Sequence, residues 1–585
     1  FHPVGRNLTQ LISWTVNKPL KYMKIKSLIT DHWLLITVLI IAIFLRLYKL
    51  DSIPSHLTPD EASLGYNAYS ILKTAKDEYG TFLPIIFKSF GDFKPGLYVY
   101  LTVPFVAALG LNEWAVRLPS ALAGIISVGL VYLIVRLLFI NRRSLPLISA
   151  FIMAITPWNI YFSRGAWEVN VSLTLTLAGI YFFLKFPKRP LFLIPSSLFF
   201  ASTLLTYQGA KLSTGIVLVI LAILYWKEIL KFNRKILTGS ILVGLLVSTP
   251  IILSLFQGKA GRLEVFSVFS YPRPKEYLEK FLTLGNEKKG DLNYYLFHSE
   301  TLNFIRGVMG RWFNHYSTRF LFFEGDWQNP RHTAPHQGVL LFSDFVLLIV
   351  GFVALIKYGV KKESLFIWLW LVLSTMPSAL SRDQVHAVRA LNMVIPLVVV
   401  LAWGLNSTLD WIKDQKFRIH YYFLLTTFYI VGFIYFLDAY FIHVPTHDSI
   451  YWEYGYKQIV ETVTNIQSKY KEVKVQQSFA QPYIYFLFYG GDGYSKGYDP
   501  VKYQRQAKLV ASEYKSDVGH VEKLDNICFC AIDWSVNRGE SGTLFVADTV
   551  RIPPEDSKDE NLFKLIKEIK YLNGRDIAFR ILEVK

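Results

Sequence analysis

The residues of this sequence best placed to do chemistry begin with an adjacent acidic pair, Asp60 and Glu61, in the run His56-Leu57-Thr58-Pro59-Asp60-Glu61-Ala62. The amphipathic stretch that follows carries Tyr66, Tyr69, Ile71 and Leu72 at helical spacing, so the pair opens a helix lying at a membrane surface. Acids in a first turn can serve simply to complement the helix dipole. Five cations, Lys94, Arg164, Lys211, Arg382 and Arg389, sit beside apolar runs. A cation in that position either snorkels among lipid headgroups or grips a phosphate. Glu168 and Asn170, in Arg164-Gly165-Ala166-Trp167-Glu168-Val169-Asn170, open another helix and either join a site or cap that helix. A further concentration of polar and aromatic groups is Phe323-Glu324-Gly325-Asp326-Trp327-Gln328-Asn329-Pro330-Arg331-His332, followed by Pro335-His336-Gln337-Gly338. It reads as a binding platform, or as an ordered turn in which Asp326 bonds backbone and His332 is solvated. Tyr207, Gln208 and His386 complete the candidate binding groups. No metal-ligand spacing, nucleophile triad or Gly-rich phosphate loop is visible.

Positioning these groups falls to an apolar scaffold. Of 585 residues, 52% are hydrophobic and 16% aromatic, and mean hydropathy is +0.31, too apolar for one soluble core. The formal charge of +18 could suggest a nucleic-acid partner, but the basic residues recur between apolar segments, as positive-inside topology requires. Cys528 and Cys530 are the only cysteines. One residue apart, they are poorly placed to bond each other and imply no disulfide framework.

Eleven segments are apolar and long enough to span a bilayer: 33-49, 117-139, 145-162, 169-186, 191-206, 211-226, 236-255, 338-357, 364-380, 391-407 and 421-441. Leu97 to Gly110 is short and holds Pro104. Leaving it as an interfacial or re-entrant helix puts fifteen Lys and Arg in five short loops on one face and four in three short loops on the other. The lysine-rich face is then cytoplasmic. Residues 1-32 form a cytoplasmic segment, of which 1-22 precede Met23-Lys24-Ile25-Lys26, an ordinary start, and stand apart from the fold. Residues 33-441 form a transmembrane unit with outer loops 50-116 and 256-337. Residues 442-585 form an extracytoplasmic α/β domain, with helices at Glu453-Tyr470 and Asp559-Tyr571 and strands at Glu472-Phe479, Ile527-Trp534, Thr543-Ala547 and Ile577-Val584. Four of the candidate cations, Arg164, Lys211, Arg382 and Arg389, fall in the short loops of the lysine-poor face and Lys94 in the first outer loop, where the charge bias disfavours them and phosphate binding supplies a reason.

The order of motifs carries a resemblance. One span is followed by Pro59-Asp60-Glu61-Ala62, then Phe93-Lys94-Pro95-Gly96-Leu97-Tyr98, then Arg117-Leu118-Pro119-Ser120-Ala121-Leu122-Ala123-Gly124, with Tyr161-Phe162-Ser163-Arg164 ending the third span. This order resembles the GT-C superfamily, near the protein O-mannosyltransferase and lipid A aminoarabinose transferase group called glycosyltransferase family 39. The resemblance implies a helical membrane bundle and transfer of a sugar from a polyprenyl-phosphate carrier. It also assigns the base to Asp60, with Glu61 as supporting partner, and makes the 323-338 cluster a sugar or acceptor platform.

With a good leaving group already on the donor, such an enzyme must mainly deprotonate the acceptor and stabilise charge on the departing phosphate. A single acidic cluster fits inverting displacement. In the lipid A branch an acid directly before the Lys-Pro pair helps hold a metal. Phe93 stands there in this chain, with Asp92 one residue earlier, so no cofactor is expected to be required and a divalent metal is not supported. The expected partners are a polyprenyl-phosphate-linked sugar, an acceptor protein, lipid or glycan, and membrane lipid, but no nucleic acid; the expected location is the plasma membrane. A transporter or flippase of a lipid-linked sugar would instead need ionisable groups deep within spans. An envelope scaffold would leave Asp60 far from Lys94 and Arg164.

Overall fold

The computed structural model describes residues 32–231, 233–257, 267–270, 273–478, 480–491, 496–506, 509–510 and 520–585. The expected segment 1-32, with the separate status of residues 1-22, lies outside the described residues apart from His32. Helices dominate as far as His447. In order they are α1 (His32–Leu47), then α2 (Pro59–Thr74), α3 (Leu97–Leu109), α4 (Glu113–Leu138), α5 (Leu145–Ile155), α6 (Pro157–Ser163), α7 (Glu168–Lys185), α8 (Leu193–Leu204), α9 (Ala210–Leu230) and α10 (Arg234–Phe256). After them come α11 (Lys275–Leu284), α12 (Glu300–Asn314), α13 (Asp344–Tyr358), α14 (Lys362–Leu373), α15 (Val394–Lys413) and α16 (Arg418–Asp438).

Among the described residues, α4, α9, α10, Leu391–Lys413 and Arg418–His447 are each long and apolar enough to cross a membrane. Helices α5 and α6 together pass the same test, bent by 56°. The bend falls at Thr156-Pro157, where the proline ring cannot continue the helical hydrogen-bond ladder. The other expected spans are helical over shorter or less apolar stretches. The bundle is close-packed where side chains are smallest. A Cβ on Gly351 of α13 would strike the Val400 carbonyl, and one on Gly404 of α15 the Leu347 carbonyl, so the two helices meet backbone to backbone.

The C-terminal region holds a six-stranded sheet. Its strands are β3 (Glu472–Gln476), β6 (Lys523–Leu524), β7 (Ile527–Cys530), β8 (Thr543–Ala547), β9 (Phe563–Lys570) and β10 (Ile577–Val584), in the order β6-β7-β3-β8-β10-β9. The same region has a small hairpin, β4 (Leu509–Val510) with β5 (His520–Val521). A two-stranded hairpin between α2 and α3 pairs β1 (Ile86–Ser89) with β2 (Asp92–Pro95).

Two expectations are corrected here. The segment read as a helix over Asp559-Tyr571 is the edge strand β9, because pairing along its whole length with β10 outweighs a helical pattern with only two fully buried positions, Phe563 and Ile569. Cys528 and Cys530 are joined as a disulfide. As alternate residues of one strand they project to the same face, their Cα atoms 5.5 Å apart.

This region clamps the segment around α2. Helix α17 (Tyr456–Ile466) buries Ile459, Val460 and Val463 against the sheet. Helix α18 (Pro482–Tyr489), which the sequence reading did not anticipate, packs on α2 with Tyr483 to Phe488 all buried. Tyr485 Oη donates to Leu57 O (3.0 Å), and the Lys457 amide donates to His56 Nε2 (3.2 Å). Under this contact lies Glu78. Its Oε1 accepts from Asn67 Nδ2 (3.2 Å), and its Oε2 has no partner among the described residues. Burial pushes the Glu78 carboxyl up to about 8, against weaker opposition from Asn67.

A raised carboxyl contributes stability below its unfolded value near 4.5 and loses it as pH climbs through about 8. The Glu78→Gln protein is therefore expected to melt several degrees above wild type at pH 9 and close to it at pH 5. Thermal melts at the two pH values check this.

Candidate active site

The site is assembled at the start of α2. Thr58 is its N-cap, and the segment closes a capping box: the Glu61 amide donates to Thr58 Oγ1 (3.2 Å) and the Thr58 amide to Glu61 Oε2 (2.9 Å). This turns Glu61 inward, where it is 4% exposed. Its Oε1 accepts from Arg117 Nε (3.0 Å) and from the Ala166 amide (2.8 Å). Glu61 is thus saturated with donors. Asp60, one residue earlier, points outward with its side chain 57% exposed. Its Oδ1 is paired with Lys94 Nζ, and the lysine side chain is only 8% exposed. The β1-β2 hairpin holds Lys94 there, its ammonium over the Phe90 ring at 5.7 Å.

Asp60 lies on the wall of a cavity of about 560 Å³ that also takes in Glu61, Glu168, Tyr207, Gln208, Lys211, Arg331, His332, His386 and Arg389. Most of the groups picked from the sequence therefore converge, although they come from five separate stretches of chain. Gln208 ties one wall together, donating through Nε2 to Phe93 O (2.5 Å) and accepting from Lys211 Nζ (2.9 Å). Arg389 is held by Asp383 (Nη1 to Oδ2, 2.6 Å). Trp167 lines the same cavity, its ring packed edge-on to His332 at 5.5 Å. Its Nε1 is buried and has no partner among the described residues. Nothing but its proximity to Arg164 and Glu168 in sequence could have singled it out.

Behind the wall, Asp326 orients His332. His332 Nδ1 lies 2.8 Å from Asp326 Oδ2, which also accepts from the Ala387 amide (2.7 Å), while Oδ1 accepts from Asn329 Nδ2 (2.9 Å). Burial pushes the Asp326 carboxyl up, but the His332, Ala387 and Asn329 donors outweigh it and hold the carboxyl below its usual range. His386 stacks beside His332, with centroids 4.9 Å apart. Burial, reinforced by the Arg389 charge, keeps it neutral, well below the ordinary imidazole value. Asp326, His332 and His386 each offer a ligand atom within 4.8 Å of the others, a cluster that sequence spacing conceals. Both Asp326 oxygens already accept hydrogen bonds, so these residues fit a hydrogen-bonded network better than a cation site.

Four site expectations are corrected, three because the group's bonding capacity is spent inside the protein and one by position alone. Arg164 is fully buried, giving Nη1 to Leu45 O (2.9 Å), Nη2 to Tyr48 O (2.6 Å), Lys49 O and Ile53 O, and Nε to Tyr440 Oη (3.2 Å). It latches the end of α1 and does not face the cavity. Asn170, also fully buried, donates to Ser120 O (2.8 Å) and ties α7 to α4. Asp326 is 1% exposed and sits behind His332 instead of touching a substrate. Arg382 is exposed and lies off the cavity wall. The residue the sequence reading undervalued is Arg117. Fully buried, it holds Glu61 and donates to Leu50 O (2.9 Å), Pro54 O (3.0 Å) and His56 O (2.7 Å). Its signal was present in the Arg117-Leu118-Pro119 motif.

Comparison with known proteins bears on the fold. Residues 94–253 match the family described as dolichyl-phosphate-mannose-protein mannosyltransferase. No curated protein sequence matches significantly. Among solved structures, ArnT from Cupriavidus metallidurans in the apo state shares 12% identity at a TM-score of 0.50, over 95% of this chain and 98% of that one. ArnT bound to undecaprenyl phosphate gives 12%, 0.50, 94% and 97%. The Archaeoglobus fulgidus oligosaccharyltransferase in the apo form gives 12%, 0.48, 78% and 64%. The chain is a helical multi-pass membrane protein with the GT-C glycosyltransferase fold. Within that class the family match covers residues 94–253, from Lys94 into the last turn of α10.

Proposed function

We propose that the chain is an inverting glycosyltransferase that moves a mannose-like or related sugar from a polyprenyl-phosphate carrier to an acceptor hydroxyl on the extracytoplasmic face of the plasma membrane. The observation that carries this reading is the half-exposed Asp60 carboxylate backed by buried Lys94, on one cavity wall with Lys211, Arg331 and Arg389. The binding of undecaprenyl phosphate by ArnT from Cupriavidus metallidurans supports a lipid-phosphate donor. The topology belongs to the same reading: eleven spans, outer loops 50-116 and 256-337, and an outer α/β domain over 442-585.

In the proposed reaction Asp60 accepts the proton of the acceptor hydroxyl as its oxygen bonds to the anomeric carbon. The bond from that carbon to the phosphate oxygen breaks, and the electron pair leaves on the phosphate. Lys211, Arg331 and Arg389 stabilise the charge appearing there. Lys94 holds the Asp60 rotamer, and the Trp167 ring, Tyr207 and Gln208 supply sugar contacts. His332, oriented by Asp326, offers its outer nitrogen to the same cavity. A scaffold reading is disfavoured by the pairing of Asp60 with Lys94 and the convergence of cations around them.

Transfer of label from a radioactive polyprenyl-phosphate sugar to endogenous acceptor in membranes tests the reading. Lys211→Gln and Arg389→Gln are each expected to raise the donor KM about tenfold with a smaller change in kcat, as removal of a charge-assisted phosphate contact does. Wild-type membranes that transfer no sugar from any polyprenyl-phosphate donor would overturn it.

A further inference from the structure

The large outer loop encloses a second cavity, of about 590 Å³, between the Val268–Ser270 turn and one face of α12. Arg273, Arg306 and Arg311 line it, with Glu300 as the one carboxylate among the described residues. That carboxylate is taken by Arg273, Nη2 to Oε1 at 2.6 Å. Arg311 is 7% exposed; its Nε donates to Ala379 O (2.8 Å), while its Nη2 has no partner among the described residues. A buried guanidinium N–H left unpaired is costly, and an anion drawn against the Arg311 guanidinium, which lines the cavity, would offset that cost. The helix is built for this. Phe304, Gly307 and Arg311 turn one face to the cavity, while Ile305, Met309 and Phe313 repeat every four residues on the opposite face and are exposed. Phe269 lines both this cavity and the one containing Asp60.

We propose that this cavity seats a phosphate ester of the acceptor, held by Arg306 and Arg311 against the apolar Val268, Phe269 and Phe304, so that an acceptor hydroxyl reaches Asp60 past Phe269. The inference rests on the glycosyl-transfer reading above and names the acceptor's class: a phosphorylated molecule.

The phosphate can arrive on a lipid headgroup or on a soluble molecule, and two probes separate these sources. The full chain in phosphatidylcholine nanodiscs is titrated with phosphatidic acid, read by native mass spectrometry, and with glycerol 3-phosphate, read by calorimetry. Wild type is expected to bind one of the probes about tenfold more tightly than Arg306→Gln/Arg311→Lys, and Lys211→Gln, in the neighbouring cavity, to retain that binding. Because Arg311 also holds Ala379 O, Arg306→Glu at an exposed position serves as a second variant and must weaken the same probe at least as much. Equal binding by wild type and both variants, or no binding of either probe by wild type, overturns the proposal. The readout is binding and not transfer, so its failure leaves the Asp60 reading standing, and loss of transfer leaves this site intact.

Discussion

Asp60→Asn is expected to lower sugar transfer by about 10²- to 10⁴-fold, the range lost when a positioned general base is removed. The side chain is more than half exposed and at a first-turn position, so the direct cost of losing its charge to the helix dipole is about 0.3–1 kcal/mol. The larger structural consequence falls on Lys94, whose side chain is 8% exposed and loses its counter-charge. Pairing the substitution with Lys94→Gln separates the two effects. The double variant is expected to regain the melting temperature lost by Asp60→Asn while transfer stays at the single variant's level. Label transfer and thermal melts on the same membrane preparations decide it. Recovery of transfer in the double variant would show that Asp60 acts only as the partner of Lys94.

Arg117→Met is expected to cost about 3–5 kcal/mol of stability, as does removal of one partner from a buried ion pair. The guanidinium is wholly buried, so its loss strands the Glu61 carboxylate and orphans the carbonyls of Leu50, Pro54 and His56 at once. Glu61→Gln should cost less. An amide still accepts through one oxygen, but its NH2 group must face donors: the Thr58 amide, Arg117 or the Ala166 amide. Because both residues belong to one network, the double variant is expected to lose about 1–3 kcal/mol less than the sum of the single losses. A double-mutant cycle on melting or denaturant unfolding in detergent measures this coupling. Additivity would mean that the two side chains act independently. Transfer should fall in all three variants, since this clamp fixes where α2 begins and therefore where Asp60 points.

The contrast between Arg117 and Arg164 shows what was and was not legible beforehand. Both are arginines at the end of an apolar helix, and both were quoted within motifs. The charge-bias argument picked out Arg164, which proves to be a latch on α1, and passed over Arg117, which holds the acidic turn. Lys211 and Arg389 were picked by the same argument and do line the cavity. The bias against cations on one face indicates that a cation has some compensating partner. It does not say whether that partner is a bound phosphate or the protein's own carbonyls. Asn170 and Asp326 follow the same pattern, being polar groups correctly placed near the site but spent on Ser120 and on His332.

What the residues determined by themselves is local or compositional. Thr58, Pro59 and Glu61 close a capping box within four positions, so the start of α2 could be read directly. Apolar runs declared their helices, and alternation declared β3, β7, β8 and β10, because these patterns depend on neighbours at most a turn or a pleat away. Tertiary structure alone decided which buried donor meets which acceptor. Arg164 finds Leu45 from 119 positions away, Arg117 finds Glu61 from 56, and Ala387 finds Asp326 from 61. It also turned 563–570 into a strand by offering β10 as a partner. The physical reason is the same throughout. A hydrogen-bonding group taken out of water must be paired, and its partner is fixed by how the chain packs, which no local pattern encodes.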